Sequence, residues 1–266
     1  MALARKGWRI RTRQGFFAQT TAIAGLVYVL PPLLNVRALA GPDESQIARF
    51  ESLAGTPNYL AFATIGVAAP LWARIAIGDI AKAFRDERIM GTVGAMWASP
   101  TPRPLLIAGD ALGRMAANVI FGIIVFAGLW AIYRFPLTPE PFAAATVLVT
   151  GVIAGLALGI GAAAFVVKYR EAGVVISLIV MGAAILAGVV YPTTVLPGWA
   201  QALGMASPLT WMVAGLRDAL VYGTANSAYR AALILGVMAA AYGALGGYLF
   251  RRLARSAQRR GLLEAF

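Results

Sequence analysis

The side chains that usually perform catalysis or bind metals are nearly absent from this chain. Its 266 residues include no cysteine and no histidine, which excludes disulfides, thiol chemistry, imidazole catalysis and the usual zinc sites. A phosphate-binding loop needs a lysine directly after a glycine, and none of Lys6, Lys82 and Lys168 follows one. Ser177 lies in an apolar segment without a base beside it. The sequence therefore argues against an enzyme and against phosphate-loop ATP hydrolysis.

The composition indicates that the elements around these few groups lie in a membrane. Hydrophobic residues make up 60% of the chain and charged residues 13%, whereas soluble domains average about 45–50% and about 25%. The formal charge of +12 is concentrated at the two termini and in two loops. That distribution is typical of cytoplasmic segments beside anionic lipid and argues against a nucleic-acid-binding surface.

Six apolar segments approach the roughly 20 residues that a membrane-spanning helix needs. With these as spans, sixteen of the twenty-three Lys and Arg residues fall in inside segments and five in outside segments. This bias predicts that both termini are cytoplasmic. The chain is thus predicted to be a single all-α integral membrane domain, with spans at residues 16–35, 58–78, 105–133, 142–167, 173–190 and 229–250.

Between the fifth and sixth predicted spans, residues 191–223 are apolar but cannot form one continuous helix. Prolines break the segment at three positions, Pro192, Pro197 and Pro208. Two short helices fit, one from Gly198 to Met205 and one from Leu209 to Val221, with Ser207 as the cap of the second. Such a segment enters a bilayer only where its broken backbone is buried in protein or faces water. We predict a re-entrant hairpin at one membrane face.

Three further features of the sequence lead to separate predictions, two outside the hairpin and one within it. Residues 36–57 form a polar connector between the first two spans. Glycines at four-residue spacing in the fourth span predict close helix packing, at Gly151, Gly155 and Gly159. Arg217 and Asp218 are adjacent and cannot face each other on a helix, so we predict separate partners at the outer surface.

The connector between the second and third spans, residues 79–104, is the longest predicted cytoplasmic segment. Its apolar residues are spaced among charged ones in a pattern suited to helices lying at the membrane interface. Two interpretations stay open at this point: a helix that contacts a partner protein, or a solvated amphipathic helix without one.

Two sets of short motifs, in this order and around six spans, resemble the permeases of type-2 ATP-binding-cassette (ABC) exporters. The first is Glu87-Arg88-x-x-Gly91-Thr92 followed by Ser99-Pro100. The second includes Leu196-Pro197-x-Trp199, Ser207-Pro208-Leu209-Thr210, Gly215-Leu216-Arg217 and a closing Gly223. The local sequence from Tyr169 to Ala172 is more similar to drug-export members than to polysaccharide-export members.

The resemblance implies a membrane subunit whose energy comes from a separate ATPase subunit that binds ATP and Mg, while this chain binds no cofactor and no metal. It implies a second permease copy or a paralogue as partner, in the cell membrane of a prokaryote. A cytoplasmic coupling helix is assigned by resemblance to Glu87, Arg88, Gly91, Thr92, Met96 and Trp97. The hairpin, expected on the extracellular side, carries the signature residues Pro192, Pro197, Trp199, Pro208 and Arg217.

The spans contain aromatic and methionine side chains but few charges, which favours a hydrophobic or amphipathic substrate such as a drug-like molecule, a lipid or a lipid-linked glycan. The candidate path residues are Phe17, Tyr28, Tyr59, Phe62, Met181 and Tyr191, which equally suit lipid-facing positions. The alternatives are a secondary transporter, which would need carboxylates at mid-membrane, and a membrane-embedded lipid-modifying enzyme, which would need a nucleophile with its base.

Overall fold

A computed structural model describes residues 45–59, 61–66, 123–124, 126–128, 130–131, 134, 136–168, 172–189 and 191–259. In these ranges the regular structure is helical, without a β-strand. Residues 61–66 are helical, a 3₁₀ turn covers Thr193–Val195 and a π-helical turn covers Asp218–Tyr222. The α-helices are α1 (Ser45–Ala54), α2 (Pro141–Lys168), α3 (Ala172–Leu186), α4 (Gly198–Met205), α5 (Pro208–Arg217) and α6 (Ala225–Arg259).

Helices α2 and α6 pack along each other and form the frame of the described part. Each contains a stretch long and apolar enough to cross a membrane, Pro141–Ala162 in α2 and Ala225–Leu249 in α6. Gly246 allows their close approach, because a Cβ there would lie 2.9 Å from the backbone nitrogen of Gly161. Helix α2 covers the predicted range 142–167 and extends it by one residue at each end.

Two helices differ in length from the sequence prediction. Helix α3 ends at Leu186, not at residue 190, because Gly188 adopts a left-handed φ of 64° that terminates a helix. Helix α6 begins four residues before the predicted sixth span and continues nine residues beyond it, through the arginine-rich segment. Arginine and lysine are good helix formers, so α6 continues past the last residue of its apolar stretch.

Helix α1 lies in the segment that we predicted to be a polar connector. Its sequence signals were present: Ile47, Phe50 and Leu53 recur at three-residue spacing, and Gly55 follows the helix. Gly55 has a φ of 73°, and its N–H donates to the Glu51 carbonyl at 2.8 Å. A glycine in the left-handed (αL) conformation with such a hydrogen bond commonly ends an α-helix.

The core lies where α5 enters the groove between α2 and α6. Met212 and Leu216 of α5 are buried against Val147 of α2 and Leu235 of α6. The predicted tight packing along α2 is confirmed, because the glycines at 151, 155 and 159 are all buried. At the first of them the neighbour is the hairpin, since a Cβ on Gly151 would lie 2.8 Å from the Met212 sulfur.

Candidate functional site in the proline-rich hairpin

The hairpin contains the two predicted short helices, α4 and α5, separated by the Ser207–Pro208 break. Helix α4 has the predicted bounds, and the predicted cap is confirmed, since the Ser207 hydroxyl accepts from the Leu209 N–H at 3.3 Å. Pro208 occupies the first turn of α5, where a missing N–H costs nothing. The second helix changes from α to π geometry after Arg217, so the predicted end near Val221 falls inside the π turn.

The carbonyls freed by the helix breaks find donors within the protein. The Gln201 side chain donates to the Leu196 carbonyl at 2.8 Å, before α4. After α4, the Trp211 indole donates to the Met205 carbonyl at 2.8 Å, and the Tyr242 hydroxyl of α6 donates to the Ala206 carbonyl. An irregular segment in an apolar environment requires such internal satisfaction.

At its far end the hairpin is joined to the loop of residues 136–140. Three carbonyls of the π turn lack helical partners and accept hydrogen bonds from this loop. The donors are the Glu140 N–H to Ala219 (2.8 Å), the Thr138 N–H to Leu220 (3.2 Å) and the Thr138 hydroxyl to Val221 (2.9 Å). Gly223 then ends the turn with a φ of 64°, and its N–H donates to the Asp218 carbonyl.

Arg217 is the most connected side chain of the hairpin. Its Nε and Nη2 both donate to the Phe62 carbonyl at 3.2 Å. Nη1 donates to the Gly188 carbonyl at 3.0 Å, and Nη2 also donates to the Val189 carbonyl at 2.7 Å. We call this group, formed by Arg217, Phe62, Gly188 and Val189, the arginine clasp. It joins three segments that are far apart in sequence.

The clasp holds a positive charge in the interior with backbone carbonyls as its hydrogen-bond acceptors. Arg217 is only 5% exposed, and burial lowers its pKa to about 9, so the guanidinium is still protonated at pH 7. Two features compensate the charge. The Gly188 and Val189 carbonyls follow the C-terminus of α3, where the helix dipole is negative. The Phe62 ring stacks on the guanidinium, with 3.3 Å from its carbon to the ring centroid.

These contacts correct one sequence prediction. We expected Arg217 and Asp218 to have separate partners at the outer surface, but Arg217 points into the interior. A sequence shows an arginine in an otherwise apolar helix and cannot show which distant backbone carbonyls it will meet. Asp218 is half-buried, and burial raises the pKa of its carboxyl above the ordinary value of 3.8.

The remaining hairpin signature residues divide into a buried and an exposed set. Pro192 and Pro208 are buried, whereas Pro197 is exposed at the start of α4. Trp199 is 69% exposed, and three other apolar side chains of the hairpin are exposed as well, namely Val195, Leu203 and Met205. The hairpin therefore has one face in the core and one apolar face without a neighbour in the described part of the chain.

The structure brings together two of the candidate path residues. Tyr59 and Phe62 both make edge-to-face contacts with Phe50 of α1, with ring centroids 5.1 and 5.3 Å apart. Phe62 is 3% exposed beneath Arg217, whereas Met181 on α3 is 64% exposed. Tyr191 donates its hydroxyl to the Ile185 carbonyl. Phe17 and Tyr28 lie outside the described residues, and a substrate role for the set stays a prediction.

The predicted coupling residues also lie outside the described residues, so their role stays a prediction. They are Glu87, Arg88, Gly91, Thr92, Met96 and Trp97. In the described ranges no three His, Cys, Asp or Glu residues form a group suited to a metal ion.

Sequence reasoning missed Gly66, which lies directly beside the clasp. A Cβ at this position would overlap the Val189 carbonyl oxygen and lie 2.5 Å from Nη2 of Arg217. The helix of residues 61–66 therefore meets the end of α3 backbone to backbone. A glycine within a predicted span was the only available signal.

Apolar helices around an irregular, internally hydrogen-bonded hairpin are typical of an all-helical membrane protein. Residues 84–221 match the family model described as "ABC-2 type transporter", which is more than half of the chain. The chain belongs to the ABC-2 type transporter family, as the motif resemblance predicted.

Several curated relatives share the printed name "Inner membrane transport permease YadH". Those from Escherichia coli K12, Escherichia coli O157:H7 and Shigella flexneri are each 26% identical to this chain over 160 residues. The match covers 60% of this chain and 62% of each relative. The chain thus spans less than two thirds of the length of these relatives.

Proposed function

We propose that this ABC-2 permease is the membrane subunit of an exporter that moves a hydrophobic or amphipathic substrate out of the cell, with energy from a separate ATPase subunit. The observation that carries the proposal is the hairpin between α3 and α6. Its broken backbone is satisfied internally, and its charge is held by the clasp. An irregular segment so built is stable beside lipid, where it closes the outer end of a path.

In this proposal the domain has six spans, with both termini in the cytoplasm and the hairpin at the outer face. Residues 87–97 form the coupling helix that contacts the ATPase subunit, and a second permease copy or a paralogue supplies the other wall of the path. Substrate crosses when ATP-driven closure of the ATPase pair tilts the two membrane halves. A drug-like molecule, a lipid or a lipid-linked glycan fits walls with few charges.

The coupling assignment is tested by co-purifying the chain with its ATPase subunit and measuring ATP hydrolysis in detergent. The proposal expects hydrolysis to rise on complex formation, and expects Glu87→Ala and Met96→Ala to reduce that rise by about tenfold, which corresponds to about 1.4 kcal/mol of lost coupling. Arg252→Ala, an exposed position on α6, is the matched control. Full stimulation after deletion of residues 86–97 would contradict the assignment.

The orientation is tested by labelling single cysteines, which is clean because the chain has none. Trp199→Cys on the exposed face of the hairpin should react with an impermeant maleimide in intact cells. Arg252→Cys should react only after the cells are permeabilised. The reverse pattern would place the hairpin in the cytoplasm and remove its role at the outer end.

A further inference from the structure

We propose that Gly66 and Arg217 are one positioning unit that fixes the helix of residues 61–66, the end of α3 and helix α5 as a single rigid body, which moves without internal rearrangement during transport. This inference rests on the proposed function. It means that the hairpin does not open by separating from the helix of residues 61–66.

One guanidinium holds three segments that are far apart in the sequence. Arg217 lies 155 residues from Phe62 and 29 residues from Gly188, yet it donates to both carbonyls and also to Val189. Four of its hydrogen bonds are in place, against the five donors that a guanidinium carries. Because the fork is planar, its acceptors cannot move apart without breaking several bonds at once.

Gly66 leaves no space between its own backbone and that of Val189. The Val189 carbonyl oxygen occupies the volume that a side chain at this position would need. The two backbones therefore touch along the line where sliding would have to occur. This close approach also sets the distance over which Arg217 reaches both the Phe62 and the Val189 carbonyl oxygens.

The contact between α5 and the helix of residues 61–66 is buried. Phe62 and Arg217 are both almost fully buried. Met212 and Leu216, which lie on α5 with Arg217, pack into the core between α2 and α6. Separation of α5 from the helix of residues 61–66 would break the hydrogen bonds of Arg217 to the Phe62 carbonyl and leave part of a buried charge without acceptors. Such a state is strongly disfavoured, so the unit is expected to stay closed through the transport cycle.

A glycine comparison tests the role of Gly66. Gly66→Ala is compared with Gly182→Ala on α3 and Gly236→Ala on α6, where an added Cβ meets nothing within 4 Å. The two controls should keep or raise the melting temperature, because alanine favours a helix over glycine. Gly66→Ala should lower it by roughly 5–10 °C, as expected for a backbone clash in a core. Equal melting temperatures for all three variants would overturn the inference.

Spin-label distances test the rigid body itself. Exposed sites allow one pair within the unit, Ile185→Cys on α3 with Ala214→Cys on α5. A second pair, Arg252→Cys on each of two copies of the chain in the complex, reports the tilt of one membrane half against the other. In the complex with the ATPase subunit, the first distance should change by less than about 2 Å between nucleotide-free and ATP-bound states, the scale of ordinary helix shifts. A larger change within the unit would overturn the proposal.

Further arms separate a specific positioning role from general instability. In the isolated chain, Gly66→Ala and Arg217→Lys should each broaden the distance distribution between the α3 and α5 labels. The double variant should broaden it no further, because both changes open the same clasp. An unchanged distribution in both single variants contradicts the inference without reference to transport. If only the distance between the two Arg252→Cys labels fails to respond to ATP, the proposed function fails and the clasp stands.

Discussion

Replacement of Arg217 is the perturbation whose outcome the structure defines best. Arg217→Ala removes four hydrogen bonds and leaves the carbonyls of Phe62, Gly188 and Val189 without their donor. Each buried acceptor left without a partner costs about 1–3 kcal/mol. Loss of the contact with the Phe62 ring adds about 1–2 kcal/mol.

An opposing contribution reduces this sum. A buried guanidinium carries a desolvation penalty of several kcal/mol, and the alanine variant no longer has it. We therefore expect a net loss of about 3–5 kcal/mol for Arg217→Ala. Arg217→Lys keeps the charge but has no planar fork to reach three carbonyls, so we expect a loss of about 1–3 kcal/mol. At about 2–4 °C per kcal/mol, Arg217→Ala lowers the melting temperature by roughly 6–20 °C.

The assay is thermal unfolding of the purified chain in detergent, followed by the loss of the monodisperse peak in size-exclusion chromatography. Arg230→Ala is the matched control, because this arginine is exposed on α6 and should change stability by less than about 0.5 kcal/mol. The expected order of melting temperatures is native and Arg230→Ala highest, then Arg217→Lys, then Arg217→Ala. An Arg217→Ala chain as stable as the control would refute the account of the clasp.

Three further changes test the ends of the hairpin by the same assay. Gly223→Ala should cost about 1–2 kcal/mol, because it forces alanine to a φ of 64° with a Cβ 3.0 Å from the Thr138 hydroxyl; unaltered stability would contradict that geometry. Ser207→Ala should cost about 0.5–2 kcal/mol and Ser207→Gly only a few tenths, and an equal cost for both would argue against the cap. For Asp218, burial raises the folded-state pKa above 3.8, so the folded chain binds this proton more tightly than the unfolded chain. The stability that Asp218 contributes is present at low pH and decreases as pH rises from 3.8 through the folded-state pKa. Asp218→Asn should therefore reduce the fall of the unfolding free energy with pH in this range. An unchanged pH dependence in that variant would exclude the contribution.

The parts of the hairpin that the sequence predicted are those set by local chemistry. Proline disfavours helix at the preceding residue, serine before proline caps a helix, and glycine permits a left-handed turn, so α4, the Ser207 cap and Gly223 were all predictable. These signals act over a few residues. Helix α1 carried similar local signals, and the polar composition of its surroundings concealed them.

The clasp could not be predicted, because its partners lie far apart in sequence. Every residue has a backbone carbonyl, so no sequence motif indicates that Arg217 will donate to those of Phe62 and Val189. The early end of α3 could not be predicted for the same reason. The chain leaves the helix after Leu186, and the Gly188 carbonyl then accepts a hydrogen bond from Arg217. Hydropathy alone extends a span to the end of the apolar residues and takes no account of such an ending.

Transport in proteoliposomes tests the central claim most directly. The chain is reconstituted with its ATPase subunit, and accumulation of a fluorescent amphipathic cation is followed with and without ATP. Vesicles that contain both proteins should concentrate the dye against its gradient only with ATP and Mg, and vesicles with either protein alone should not. Uphill movement of the dye by the chain alone would contradict the account. So would a complex that hydrolyses ATP but moves none of several amphipathic dyes and lipids.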